Sequence, residues 1–197
     1  ARHAITQMEK LAVTELSASF ADTDRRGVEL QADGTVPLPE KLKASMQVFL
    51  DNDWHMLEMP EHLGGMAAPP SLVWANYELL SGSNATAGFY LSLIFMARII
   101  DRFGTAEPHM LEQQWSCTMV LTEEGAGSDV GAGRTKAKHI AGDEWHLEGT
   151  KRFITSGESD FFPNIVHLVL ARPEGGAPGT KGLSLFIVPK YLVEADG

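Results

Sequence analysis

Two short segments combine glycines, hydroxyls and an aromatic ring in patterns suited to holding a ligand. The first is MVLTEEGAGSDVGAG, Met119 to Gly133, in which an apolar run delivers Thr122 and then Gly125, Gly127, Gly131 and Gly133. Residues without a Cβ let a ligand come close to the backbone. Successive N–H groups in such a loop can form a concavity for an anion. The glycines do not match a Walker loop, because no Gly-Lys-Ser/Thr follows. They do not match a Rossmann fingerprint, because no helix-forming segment follows. Taken alone, Ser128 and Asp129 read equally well as an ordinary turn. The second segment is GTKRFITSGESD, Gly149 to Asp160, with Phe153 beside Thr155 and Ser156. A planar aromatic next to hydroxyls suits a flavin, offering stacking area and partners for polar ring atoms. A strand end with a turn-forming serine fits this segment as well.

The elements that must position these residues fall into two halves. In the first, Ile5, Met8, Ala12, Leu16 and Phe20 recur at helical spacing, as do Leu38, Leu42, Met46 and Phe49 behind Pro37 and Pro39. Leu72, Val73, Trp74, Tyr77 and Leu80 form another helical face. Thr86 to Phe103 is apolar nearly all round, which predicts a central bundle helix, with Gly104 placed as its C-cap. GVELQADGTVPLP and PEHLGGMAAPP read as loops. Near Trp115 the pattern changes to β-branched and alternating residues. Strands are predicted at 116–122, 134–140, 144–147, 151–155, 165–171 and 183–188, with Gly142 and Asp143 as a hairpin turn. Helices followed by a run of strands predict an α+β chain: an all-α domain at 1–113 and a β-domain at 114–197.

Bulk properties narrow the function. The 197 residues are 44% hydrophobic, enough for a real core, and 16 Lys plus Arg against 26 Asp plus Glu leave a net charge of −10. That balance argues against a nucleic-acid backbone as main partner. The single cysteine, Cys117, excludes an internal disulfide and reads as a buried structural thiol, which fits a reducing cytoplasm. Seven scattered histidines without an HxH or HxxxH pair predict no metal. The N-terminus has no apolar signal core, and Ala85 to Ile100 is too short for a membrane span.

Together the two segments resemble the acyl-CoA dehydrogenase family, whose middle domain carries aromatic-x-x-T-E-P-x-A-G-S-D and, further on, aromatic-I-T-S/N. Both occur here in order, as MVLTEEGAGSD and FITS. KRFITS and LVLARPEGGAPGTKGLSLFIVPK are most similar to the long-chain, extended bacterial branch, and MPEHLGG and RFGT fit the N-terminal helical domain. The resemblance implies FAD as cofactor and an antiparallel β-barrel-like middle domain, here incomplete, after a helical bundle. It implies that Thr122 bonds the pyrimidine side of the flavin and that Met119 and Leu121 line it. Gly127 and Ser128 would lie at the flavin, with Ser128 also touching the CoA arm. Phe153 would cover the isoalloxazine, Thr155 would bond near N5, and Ser156 follows it. Three departures stand out: Met119 replaces the first aromatic, Glu124 replaces the proline, and the stretch from Gly104 to Trp115 is several residues short of the family's.

The family takes an α-proton with a glutamate from a C-terminal helical bundle while Cβ gives hydride to flavin N5. No such bundle is expected within these residues, so no catalytic residue is assigned, and the 197 residues alone are expected to be inactive. The resemblance further implies an acyl-CoA substrate, an electron-transferring flavoprotein as acceptor and a homo-oligomer, dimer or tetramer. Two alternatives stay open. One is a non-catalytic flavin- or CoA-binding subunit; the other is a relative that uses oxygen, such as an acyl-CoA oxidase or flavin monooxygenase.

Overall fold

A computed structural model describes residues 1–104 and 109–192, the side chain of His109 excepted. The predicted shortening between Gly104 and Trp115 therefore lies partly outside the described residues. Two compact units emerge: Ala1–Ser116 with Glu158–Pro163, and Cys117–Gly157 with Asn164–Gly197, the latter in its described part.

The first unit is helical. Helix α1 (Arg2–Leu11) continues through a π-turn at Ala12–Leu16 into α2 (Ser17–Arg26). Met8, Ala12 and Leu16 are buried as the spacing predicts, but Phe20 is exposed and Ser19 and Thr23 are buried instead. After Leu16 the inward positions are three and then four residues on, the ordinary spacing of one helical face, so Ser19 and not Phe20 comes next. Buried polar groups here find partners. Asn84 Nδ2 donates to Leu16 O (3.1 Å) and Ser19 Oγ (2.8 Å), and Ser45 Oγ donates to Glu15 O (2.8 Å).

Helix α3 (Glu40–Asp51) starts behind Pro39 and buries Leu42, Met46 and Phe49, as predicted. Helix α4 (Pro70–Ser83) has Pro at its first position, where a missing N–H costs nothing. Of its predicted face Leu80 is buried, whereas Trp74 is exposed. The predicted helix from Thr86 to Phe103 is broken into α5 (Ala85–Ser92), a 3₁₀ stretch (Leu93–Met96) and α6 (Ala97–Phe103). Asn84 caps α5 by accepting from Ala87 N. Gly104 does cap α6, with its N–H on Ile100 O at 2.7 Å, but in an extended rather than left-handed conformation (φ −102°). Helix α7 is one turn, His109–Glu112. Residues 158–163 belong to this unit because the Asp160 carboxylate accepts from Leu38 N (2.8 Å) and pairs with Lys43.

The second unit is a curled mixed sheet in the order β1-β4-β2-β3, with β5 on β4. Its strands are β1 (Ser116–Val120), β2 (Lys136–Ala141), β3 (Glu144–Glu148), β4 (Ile165–Pro173) and β5 (Ser184–Pro189). Strands β2 and β3 form the predicted hairpin around Gly142, whose φ is +50°. Strands β4 and β5 pair antiparallel from Val166–Pro189 to Ala171–Ser184. A short parallel pairing, Lys136–Arg172 and Ala137–Pro173 between β2 and β4, makes the sheet mixed. The predicted strand at 151–155 does not form. Phe153 (φ 58°) and Ser156 (φ 54°) sit in the left-handed region, which breaks extended pairing. Among the described residues no helix is long and apolar enough to cross a membrane, and no group of three metal-ligating side chains comes together.

Candidate functional site

Strand β1 ends at Val120 and releases Leu121 and Thr122 into the glycine-rich loop. Glu123 turns the chain at once. Its backbone pairs with Ala126, closing a tight turn around Glu124 and Gly125. The Glu123 side chain, 9% exposed, points back into the sheet unit. One oxygen accepts from Arg134 N (2.6 Å). The other accepts from Thr135 N (3.0 Å), Thr135 Oγ1 (2.7 Å) and Lys151 Nζ (3.0 Å). Burial acts to raise its pKa, but bonds from Thr135, Arg134 and Lys151 outweigh it and hold the carboxyl at about 2. Glu123 is therefore a carboxylate that staples both ends of the loop.

The second segment meets the first here. Lys151 Nζ also donates to Leu121 O (3.0 Å), and Arg152 N donates to Thr122 O (2.9 Å). The next residue, Phe153, is 83% exposed in left-handed backbone, with the Arg152 guanidinium 5.3 Å from its ring centroid. Thr155 and Ser156 are the central residues of a turn closed by Gly157 N on Ile154 O (3.2 Å). So Thr122 and Phe153 are brought together through neighbouring backbone. Ser128 and Gly127 lie further along the exposed loop. Met119 and Leu121 are half-buried, on the strand face opposite Thr118 and Val120. Among the described residues, nothing holds the hydroxyls of Thr122, Ser128 or Thr155.

The glycines divide into two kinds. A Cβ on Gly131 would lie 3.1 Å from Gly179 Cα and from Thr180 N, so the neighbouring loop would have to give by a few tenths of an ångström. Arg172 fastens the same two loops, donating to Gly131 O (2.8 Å), to Gly179 O (3.0 Å) and to Ala177 O. A Cβ on Gly125 or Gly127 would meet nothing within 4 Å, and neither residue has positive φ. The fold does not need these two glycines. They leave backbone open to a molecule outside the chain.

A cavity of about 310 Å³ opens in the same unit, lined by Val120, Thr135, Lys151, Ile154 and His167 among others. None of the eight residues predicted at the flavin lines it. His167 Nδ1 lies 2.7 Å from Thr118 Oγ1. Cys117 is fully buried in β1, and burial pushes its thiol up to about 12, as befits a structural residue. Lys151, Thr135 and Arg172 were not recognisable as site-forming from sequence. Lys151 sits in a stretch expected to be strand, and the residues it bonds are 28 and 30 positions away.

Residues open to a flavin are thus present: an exposed ring, free hydroxyls beside it, half-buried apolar side chains and uncovered backbone. This donor set fits an isoalloxazine, which needs stacking area flanked by polar partners.

Comparison with known proteins places the chain among relatives. Residues 118–194 match the family model described as acyl-CoA dehydrogenase, middle domain. The broad-specificity linear acyl-CoA dehydrogenase FadE5 of Mycobacterium tuberculosis is 44% identical over 203 residues, covering 100% of this chain and 33% of that protein. The acyl-CoA dehydrogenase of Geobacillus kaustophilus superposes with a TM-score of 0.72 at 22% identity, over 94% of this chain and 47% of that one. An acyl-CoA dehydrogenase complexed with FAD from Bacillus anthracis superposes with a TM-score of 0.69 at 21% identity, over 96% of this chain and 30% of that one. The chain thus spans about a third to a half of the relatives it matches. By its motifs, its half-barrel sheet that follows the helices in sequence and these matches, the chain belongs to the acyl-CoA dehydrogenase family.

Proposed function

We propose that the protein carrying this chain performs FAD-dependent α,β-dehydrogenation of acyl-CoA thioesters, and that this chain supplies the flavin-facing edge of the site. On this reading residues 1–113 are the helical domain and 114–197 the β-domain. The observation that carries it is Phe153. A bulky aromatic held in left-handed backbone costs about 1–3 kcal/mol. It persists here with its ring 83% exposed, where it contributes nothing to the chain's own core. A ring so placed, one residue from the bond to Thr122, is accounted for by a planar partner.

Each residue then has a task. Phe153 covers one face of the isoalloxazine. Thr122 and Thr155 offer hydroxyls to its polar atoms, and Met119 and Leu121 supply apolar wall. Gly127 and Ser128 leave N–H groups and a hydroxyl toward the flavin and the CoA arm, and Ser156 holds the turn that presents Thr155. The bound FAD supplies the hydride acceptor. No carboxylate here is given the role of base, since Glu123 is held ionised at about 2 by its four bonds and faces inward. Electrons pass on to an electron-transferring flavoprotein, the assembly is a homo-oligomer, and its compartment is the cytoplasm. The test is anaerobic. Saturated acyl-CoA added to the FAD-loaded protein should bleach the oxidised flavin band. A band that persists with every chain length tried refutes the activity. Rapid peroxide formation in air would move the protein to the oxidase class.

A further inference from the structure

Glu123 and Lys151 form an ion pair largely withdrawn from solvent. The two side chains are 9% and 11% exposed and sit 3.0 Å apart. A buried ion pair is weak evidence for stability, because desolvation offsets much of the attraction, and its best-attested use is to specify one arrangement among several. What this pair specifies is visible in its partners. Lys151 Nζ takes the carbonyl of Leu121, the residue before Thr122. Arg152 N takes the carbonyl of Thr122 itself. Glu123, the residue after Thr122, takes two N–H groups from the far end of the loop. The peptide groups on both sides of Thr122 are therefore set by the segment that also carries Phe153.

We propose that Glu123 and Lys151 are positioning residues that fix Thr122 and Phe153 relative to each other. They would thereby set the affinity and reduction potential of the flavin without touching it. The proposal rests on the flavin reading above. A bare field effect would act differently. Removing the anion would leave a cation near the ring and raise the potential, and removing the cation would do the reverse. Loss of positioning acts through one hydroxyl, so both substitutions move the potential in one direction.

The experiment uses the whole FAD-loaded protein with Glu123→Gln, Lys151→Met and Thr122→Val, and each charge variant combined with Thr122→Val. FAD affinity is read by fluorescence and the flavin midpoint potential by dye-coupled reduction. The expected result is about tenfold weaker FAD binding for either charge variant, ~1.4 kcal/mol. The potential shifts should share one sign and shrink to near zero in the Thr122→Val background. Shifts of opposite sign, or shifts that add fully to that of Thr122→Val, overturn the proposal. If Thr122→Val alone leaves the flavin unchanged, the flavin reading itself fails and this inference with it. Should Lys151→Met not fold, Lys151→Arg keeps the charge but changes reach and donor geometry. It must then shift the potential with the fold intact, and an unshifted potential overturns the proposal.

Discussion

Replacing Glu123 by Gln should change how stability depends on pH, in a window set by the carboxyl's own surroundings. The folded group is held at about 2 against an ordinary 4.5. A depressed pKa stabilises the fold at pH values above the ordinary one, and that contribution is lost as pH falls through the folded one. The difference contributes about 3 kcal/mol at pH 7 and about 1.4 kcal/mol at pH 3 by linkage. Gln keeps the shape but not the charge, and it replaces one accepting oxygen with an NH2 that faces donors, leaving the buried Lys151 without its counter-charge. Urea unfolding of both proteins at pH 7, 5, 4 and 3 isolates the group. The gap between wild type and Glu123→Gln should be widest near pH 7 and close by roughly 2 kcal/mol by pH 3. Other carboxylates cancel in the difference, Asp160 and Asp33 included, although both are also lowered. A gap that stays constant from pH 7 to pH 3 would show that Glu123 is not the ionised staple described, and the account of the loop would fall with it.

Gly131→Ala forces a Cβ against backbone of the neighbouring loop and should cost about 1–3 kcal/mol, whereas Gly127→Ala meets open space and should leave Tm unchanged while weakening FAD or CoA binding. Equal effects of the two on Tm would contradict the division of the glycines. Asn84→Ala removes the cap of α5 and one of the donors to Leu16 O and to Ser19 Oγ, so urea unfolding should show a loss of about 1–2 kcal/mol. Cys117, with its thiol pushed up to about 12, should resist a disulfide reagent in the folded protein and react with one equivalent after denaturation. Reaction at a free-thiol rate in the native state would refute its burial.

Much of this was legible in the sequence because it rests on local signals. Periodicity placed Leu42, Met46 and Phe49 inward, and the switch to alternation after Trp115 marked the start of the sheet. Gly142 and Asp143 carry their turn in their own chemistry. The misreadings have specific causes. After Leu16 the inward step is three residues and not four, so Phe20 gave way to Ser19; both steps fit one helical face, and the apolar side chain drew the reading to the wrong one. The alternation of Lys151, Phe153 and Thr155 imitated a strand, but the left-handed backbone at Phe153 and Ser156 removes it from the ladder. The staple of Glu123, Thr135 and Lys151 joins positions 12 and 28 residues apart, which only the folded sheet brings together. At the candidate site the sequence marked the half-buried Thr122 and the exposed Phe153 and Thr155, and missed the network of Thr135 and Lys151 that holds them.

The central claim is that Thr122 and the Phe153–Thr155 segment form the edge against which a flavin lies. A crystal structure of the FAD-loaded protein tests it most directly. The account predicts the isoalloxazine with Phe153 over one face and the Thr122 and Thr155 hydroxyls within hydrogen-bond reach, about 2.6–3.2 Å, of polar ring atoms. Density for the ring elsewhere, with Phe153 still in solvent and Thr122 unbonded, would contradict it.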